Sequence, residues 1–243
     1  MCRPDNVDEQ GNRNDGVIRR VIICGAGPAG LLLAALLMQR NRELPTPLYD
    51  ITLVDGRQNL ATFSEEELKK SFRSWMLGLA GHGCAALRTC HGLYEEYCKH
   101  VGIEVNSLSI YLGAKQLQQT ATPEEIANME NLIVDRNFIC AAIARFVQDT
   151  KDHMCTTLYE HKVLYVDYDN QRVLIRKGDG SHEFYMPYDL LVGCDGVRSV
   201  VREAMIKRHP TFETDVGDIF QAFKVSTSPN SQYMIWLEWN AAA

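Results

Sequence analysis

Apolar positions along this chain follow three rhythms, and each predicts a different element. Val17 to Cys24 closes on the unbroken run VIIC, as in a strand covered on both faces, and Pro28 to Arg40 is dense in Leu and Ala, as in a buried helix. A second strand is expected at Asp50 to Val54, after the loop marked by Pro45 and Pro47. Charged helices are expected from Glu65 to Lys70 and from Ala85 to His100, the latter ending near Gly102. Pro123 follows Thr122 at a first helical position, with Glu124 and Glu125 suited to the helix dipole. Ile139, Ala142, Ile143 and Phe146 recur at helical spacing, so Ile139 to Val147 should pack on the sheet.

From Thr157 to Val192 the rhythm shifts to short alternating strands, with turns at Tyr168 to Gln171 and Lys177 to Gly180. Leu190 to Gly193 is apolar again and runs into Cys194, Asp195 and Gly196. Two last strands are expected at Phe220 to Val225 and Tyr233 to Trp239. A pair of strands cannot bury Phe220, Phe223, Trp236 and Trp239 alone, so self-association through these strands is expected. The fold class read from this order is α/β: a Rossmann-like dinucleotide-binding fold with a β-meander and the start of a second, mainly β substrate domain. The expected boundaries are a disordered polar tail at 1–16, a nucleotide-binding domain at 17–209, and an incomplete domain at 210–243.

The junction of the first strand and helix, VIICGAGPAGLLL from Val21 to Leu33, carries the first chemistry. Gly25 permits a tight turn out of the strand, and Gly27 removes a side chain where a pyrophosphate must approach. Gly30 lets helix and strand pack closely. Pro28 and Ala29 open the helix, whose unpaired N–H groups and partial positive charge suit an anion. The second strand, ITLVD, ends in Asp55, an acid placed to bind a ribose hydroxyl. The Pro45–Pro47 loop makes the gap from Gly30 to Asp55 longer than the roughly 20 residues of the ideal fingerprint. Arg57 lies two residues on, where a 2′-phosphate would sit in an NADP-linked reductase.

Val21 to Met38 is uncharged and follows Arg19 and Arg20, as an export signal or membrane anchor would. Four of these eighteen residues are Gly or Pro, and an acidic, polar stretch from Asp5 to Asp15 precedes the arginines, so a nucleotide loop fits better. No other stretch is apolar enough to span a bilayer. A net charge of −6 gives no reason to expect nucleic acid. The eight cysteines include no CxxC pair and no metal-ligand spacing, which suggests free thiols in a reducing, cytoplasmic compartment and no structural metal.

Tyr188 to Arg202, YDLLVGCDGVRSVVR, resembles the Asp-Gly fingerprint of the single-component FAD-dependent aromatic hydroxylases. The resemblance implies that Asp195, Gly196 and Arg198 approach the FAD diphosphate and help admit NAD(P)H. Arg73 to Gly83, RSWMLGLAGHG, followed by Ala86 and Leu87, is similar to a segment that lies near the flavin ring in kynurenine 3-monooxygenases. It makes Arg73 a neighbour of the flavin. Val134 to Ile139, VDRNFI, resembles the short strand-to-helix motif whose arginine, here Arg136, contacts FAD.

Four patches in this order cover roughly residues 17 to 205. They imply an FAD-binding, NAD(P)H-dependent monooxygenase that hydroxylates a small kynurenine-like or phenolic aromatic substrate with O₂. In such enzymes the cofactor carries the chemistry, so no nucleophilic triad or paired carboxylate is needed. The chain also departs from the pattern. His82 stands where the kynurenine subgroup has an arginine, and Glu104 to Lys115 offers no arginine for a substrate carboxylate. Neither the family's third motif, a Gly-Asp pair with downstream glycines, nor a C-terminal anchor is found, so the chain is expected to be about half of such an enzyme. A flavin-binding remnant without turnover and an NAD(P)-linked reductase remain the alternatives.

Overall fold

The computed structural model describes residues 17–71, 76–104, 109–112, 115–118, 132–209, 211, 212 and 214. The expected elements at Thr122–Pro123, Phe220–Val225 and Tyr233–Trp239 lie outside the described residues, as does Arg73.

A four-stranded parallel sheet forms the centre. Its strands are β1 (Arg19–Cys24), β2 (Tyr49–Asp55), β8 (Cys155–Tyr159) and β12 (Leu190–Gly193), in the order β12-β1-β2-β8. Between them along the chain come two small sheets, β3-β7-β4 from β3 (Met76–Leu79), β4 (Gly102–Glu104) and β7 (Leu132–Asp135), and the hairpin of β5 (Ser109–Leu112) with β6 (Lys115–Gln118). A meander of β9 (His161–Asp167), β10 (Arg172–Lys177) and β11 (Glu183–Pro187) follows β8. The longer helices are α1 (Pro28–Glu43), α2 (Glu65–Ser71), α3 (Gly81–Arg88), α4 (Arg136–Asp149) and α5 (Val200–Arg208).

Side chains of β1 alternate between two cores, because successive residues of a strand face opposite sides. Val21 and Ile23, with Ile51 and Leu53 of β2, join α1 and α4 in one buried cluster. Ile22 and Cys24, with Val54, face the meander and α5 in the other, against Val166, Val173, Ile175 and Val201. The layers are therefore helices, parallel sheet, then meander. Burial on both faces explains why the β1 sequence reads as a continuous apolar run rather than an alternating one.

Expected elements and observed ones agree closely for β1, α1, β2, α2, the meander turns and β12. The helix read as Ala85 to His100 differs. It is two pieces, α3, which ends at Arg88, and a π-helical turn at Leu93–Cys98, which starts from Gly92, whose φ of +79° is left-handed.

The start of β12 is pinned to β1 by a fork in which Arg20 Nε and Nη2 donate to the Asp189 carboxylate at 3.0 and 2.7 Å. That ion pair and the register Val21↔Leu190 through Cys24↔Gly193 bring the Gly-rich loop and the Asp-Gly turn to the same end of the sheet.

Candidate functional site

Three strand ends, Cys24, Asp55 and Gly193, stand side by side at the carboxyl edge of the sheet. This is where ligands bind in open α/β folds. Backbone bonds lock them together: Gly25 N–H donates to the Val54 carbonyl and Cys194 N–H to the Cys24 carbonyl, both at 2.7 Å.

The two turns leaving β1 and β12 touch. Gly25 has φ +103°, and a Cβ there would collide with the Cys194 carbonyl oxygen and lie 2.9 Å from the Asp195 nitrogen. A Cβ on Gly30 would collide with the Gly25 carbonyl. These two glycines are therefore required by backbone approach. Gly27 differs, since nothing lies within 4 Å of its Cβ position. That open space adjoins the first turn of α1, which has no side-chain cap, with Pro28 at its start and Ala29 behind it. By contrast, Asp135 caps α4 and Ser199 caps α5 with side-chain oxygens. An uncapped helix start beside vacant space is suited to a diphosphate.

Asp195 holds the second turn. Its Oδ2 accepts the Val200 N–H at 2.7 Å at the start of α5, while its Oδ1 is buried with no partner. A carboxylate is acceptor-only, so a donor, such as a ligand hydroxyl, is wanted there. Gly196 follows with φ +76° and open space at its Cβ position. Arg202 braces this turn by donating to the Val197 carbonyl, and Arg198 is exposed.

On the other side, Asp55 is buried and accepts the Ala26 N–H at 2.6 Å, tying β2 to the glycine loop. Burial works to raise its carboxyl, but hydrogen bonds from Arg57 outweigh this and hold it below the usual carboxylate range. Asp55 and Arg57 line a narrow cleft of about 10 Å³ with Ala26, Gln58, Cys140 and Tyr159. Arg136 opens α4, directly after β7, and its charge acts on Cys140 as that of Arg57 does. Burial, with the nearby Asp55 charge adding to it, pushes the Tyr159 hydroxyl well above its ordinary range, away from any proton-transfer role near neutrality. Cys24 is likewise pushed up to about 12 by burial, with Asp195 adding to it, so it is a packed thiol and not a nucleophile.

The structure thus brings together Gly25, Gly27, Pro28, Ala29, Gly30, Asp55, Arg57, Asp195 and Gly196, with Arg136 beside the Asp55 end. Sequence reasoning missed Ala26, Gln58, Cys140, Tyr159 and Cys194. Only Cys194 had a signal, its place before the Asp-Gly pair. Among the described residues no group of three or more His, Cys, Asp or Glu could hold a metal ion, and no helix is long and apolar enough to cross a membrane. An uncapped helix start with an acid at each side is an arrangement suited to a nucleotide.

The fold is the α/β fold of FAD-binding monooxygenases. It superposes on 2-methyl-3-hydroxypyridine-5-carboxylic acid oxygenase with a TM-score of 0.56 at 19% identity, covering 77% of this chain and 42% of that one. It matches PqsL of Pseudomonas aeruginosa, solved with 2-aminobenzoylacetate, with a TM-score of 0.54 at 18% identity, covering 82% and 47%. In sequence, the chain is similar to violacein synthase of Chromobacterium violaceum, 25% identical over 217 residues that make up 88% of this chain and 47% of the relative. It is also similar to kynurenine 3-monooxygenase of Neurospora crassa, 24% identical over 227 residues, covering 88% and 42%. The resemblance to flavoprotein aromatic hydroxylases therefore holds, and the chain spans less than half the length of these relatives. No protein-family model matches the chain.

Proposed function

We propose that this chain carries the FAD-binding part of a flavin-dependent monooxygenase that hydroxylates a small aromatic compound with O₂ and electrons from NAD(P)H. The observation that supports it most is the close approach of Gly25 to Cys194 and Asp195, which makes one cradle of two motifs lying far apart in the chain. A mononucleotide or NAD fold needs only the first of them.

In this reading the start of α1, with Gly27, holds the diphosphate through backbone N–H groups. Asp55 takes the adenosine ribose. The unpartnered Oδ1 of Asp195 accepts a hydroxyl of the ribityl chain, and Gly196 gives the backbone close access. Arg136 and Arg198 supply positive charge along the cofactor, and Arg73 neighbours the ring, as the resemblance implies. Bound FAD supplies the redox chemistry that activates O₂, while the protein positions the ring and excludes water. A kynurenine-like or phenolic substrate is proposed by analogy with the kynurenine 3-monooxygenases, and a reducing compartment with the free thiols.

The test is direct. The purified protein, equilibrated with FAD and freed of excess, should retain a flavin with altered visible absorbance and quenched fluorescence, and NAD(P)H should bleach it under anaerobic conditions. A colourless protein whose melting temperature responds to NADPH alone would overturn the reading in favour of a reductase. A flavin-binding chain without turnover of its own is the second reading. Absence of substrate-stimulated NAD(P)H oxidation with FAD retained would select it.

A further inference from the structure

The carboxylate assigned to the ribose is already full. Asp55 Oδ1 accepts the Arg57 backbone N–H at 2.8 Å and Arg57 Nε at 3.0 Å. Its Oδ2 accepts the Ala26 N–H at 2.6 Å and Arg57 Nη2 at 2.8 Å. A carboxylate has about four lone-pair positions, and four donors occupy them. A ribose diol binds such a carboxylate by donating to it, so it finds no acceptor here while the guanidinium stays.

The two partners are unequally held. The Asp55 side chain is 8% exposed and the Arg57 side chain 45%, so the arginine alone has a route into solvent. The Arg57 backbone stays fixed, because its N–H donates to Asp55 and its carbonyl accepts the Glu160 N–H at 2.9 Å. Only the side chain has to turn.

We propose that Arg57 is a built-in occupant of the ribose subsite, a side-chain gate that a nucleotide must displace from Asp55 before its adenosine ribose can bind. The proposal rests on reading this end of the sheet as a nucleotide site and deepens it. Arg57 becomes a positioning residue that sets affinity, and the displaced guanidinium carries its charge out to the rim. The gate works against any ligand that donates a vicinal diol to Asp55. It leaves the diphosphate contacts of α1 untouched.

ADP is the probe, since it carries the diphosphate and the ribose but no flavin. Calorimetric titration should show Arg57→Gln binding ADP on the order of tenfold more tightly than the unaltered chain, as expected when one forked charged pair no longer competes. Arg57→Lys, which keeps the charge but loses the fork, should give a smaller gain and decides the matter if the glutamine variant does not fold. The gain should vanish with 2′,3′-dideoxy-ADP and in an Asp55→Asn background. Equal or weaker ADP binding by both Arg57 variants would overturn the gate and make Arg57 a direct ligand contact, and so would failure of every form to bind ADP. Should ADP behave as expected while FAD does not bind, the flavin reading falls and the gate stands.

Discussion

Gly25 shows how little freedom the site allows a single residue. With φ +103° and the Cys194 carbonyl against its missing side chain, Gly25→Ala incurs both backbone strain and a collision. We expect a loss of about 2–4 kcal/mol in denaturant unfolding, with flavin retention abolished in the folded fraction. Asp195→Ala removes the acceptor that holds the Val200 N–H and the orphan Oδ1 together. It should reduce stability by about 1 kcal/mol through the helix start and weaken FAD at least tenfold by equilibrium dialysis. Asp55 makes a pH prediction. Its carboxyl is depressed on folding, so its contribution is complete above the unfolded value of about 3.9 and is lost as pH falls through the folded value. Urea midpoints of the parent chain and Asp55→Asn should therefore converge as pH drops below about 4.

These residues could be read from the sequence because each answers a local demand: a glycine where the turn allows nothing else, or an acid at the end of an apolar strand. What could not be read was which groups they meet. The Ala26 N–H on Asp55 and the Cys194 carbonyl under Gly25 are backbone atoms, and backbone atoms leave no trace in residue type. Tyr159 and Cys140 line the cleft through packing of β8 and α4, which periodicity places on a face but not against a partner.

Strands and helices were recovered where burial on both faces or strict alternation marked them, as in β1 and the meander. The failure at Ala85 to His100 has a local cause. Its side chains suit one helix, yet Gly92 adopts a left-handed conformation and the chain resumes as a π-helical turn. The short strands β3 and β4 also escaped, because among the described residues each pairs only with β7 and carries too few residues for a rhythm. The pairing of β1 with β12 invites an electrostatic test. Hydrogen bonds from Arg20 lower Asp189 to about 2, against an ordinary value of 3.8. This depressed carboxyl contributes above pH 3.8 and loses its effect as pH falls toward about 2. Both side chains are about two-fifths exposed, so after solvent screening Asp189→Asn should lower stability by less than about 1 kcal/mol near neutrality. That difference should shrink in high salt and disappear near pH 2, as read by thermal melting.

Taken whole, the molecule stacks helices on one side of a parallel sheet and an antiparallel meander on the other, and the cradle sits where both cores end. A ligand held there touches segments from β1, β2 and β12 together, so occupancy should stabilise the sheet as a unit. We expect saturating FAD to raise the melting temperature, by a free energy near 2.7 kcal/mol at a hundredfold excess over Kd. Hydrogen exchange should slow at Gly25 to Leu31 and at Cys194 to Val201 alike. Slowing confined to the first segment would mean that the second turn does not take part.

The neighbour of β1 on one side is made long after it, as the separation of 169 positions between Arg20 and Asp189 records. A ribosome must therefore make α1 to α4 and the whole meander before the second wall of the pocket exists. Until then β1 has a raw edge and the glycine loop a missing floor. In the proposed reading, cofactor capture has to wait for β12, and a nascent chain halted before Leu190 should emerge without colour.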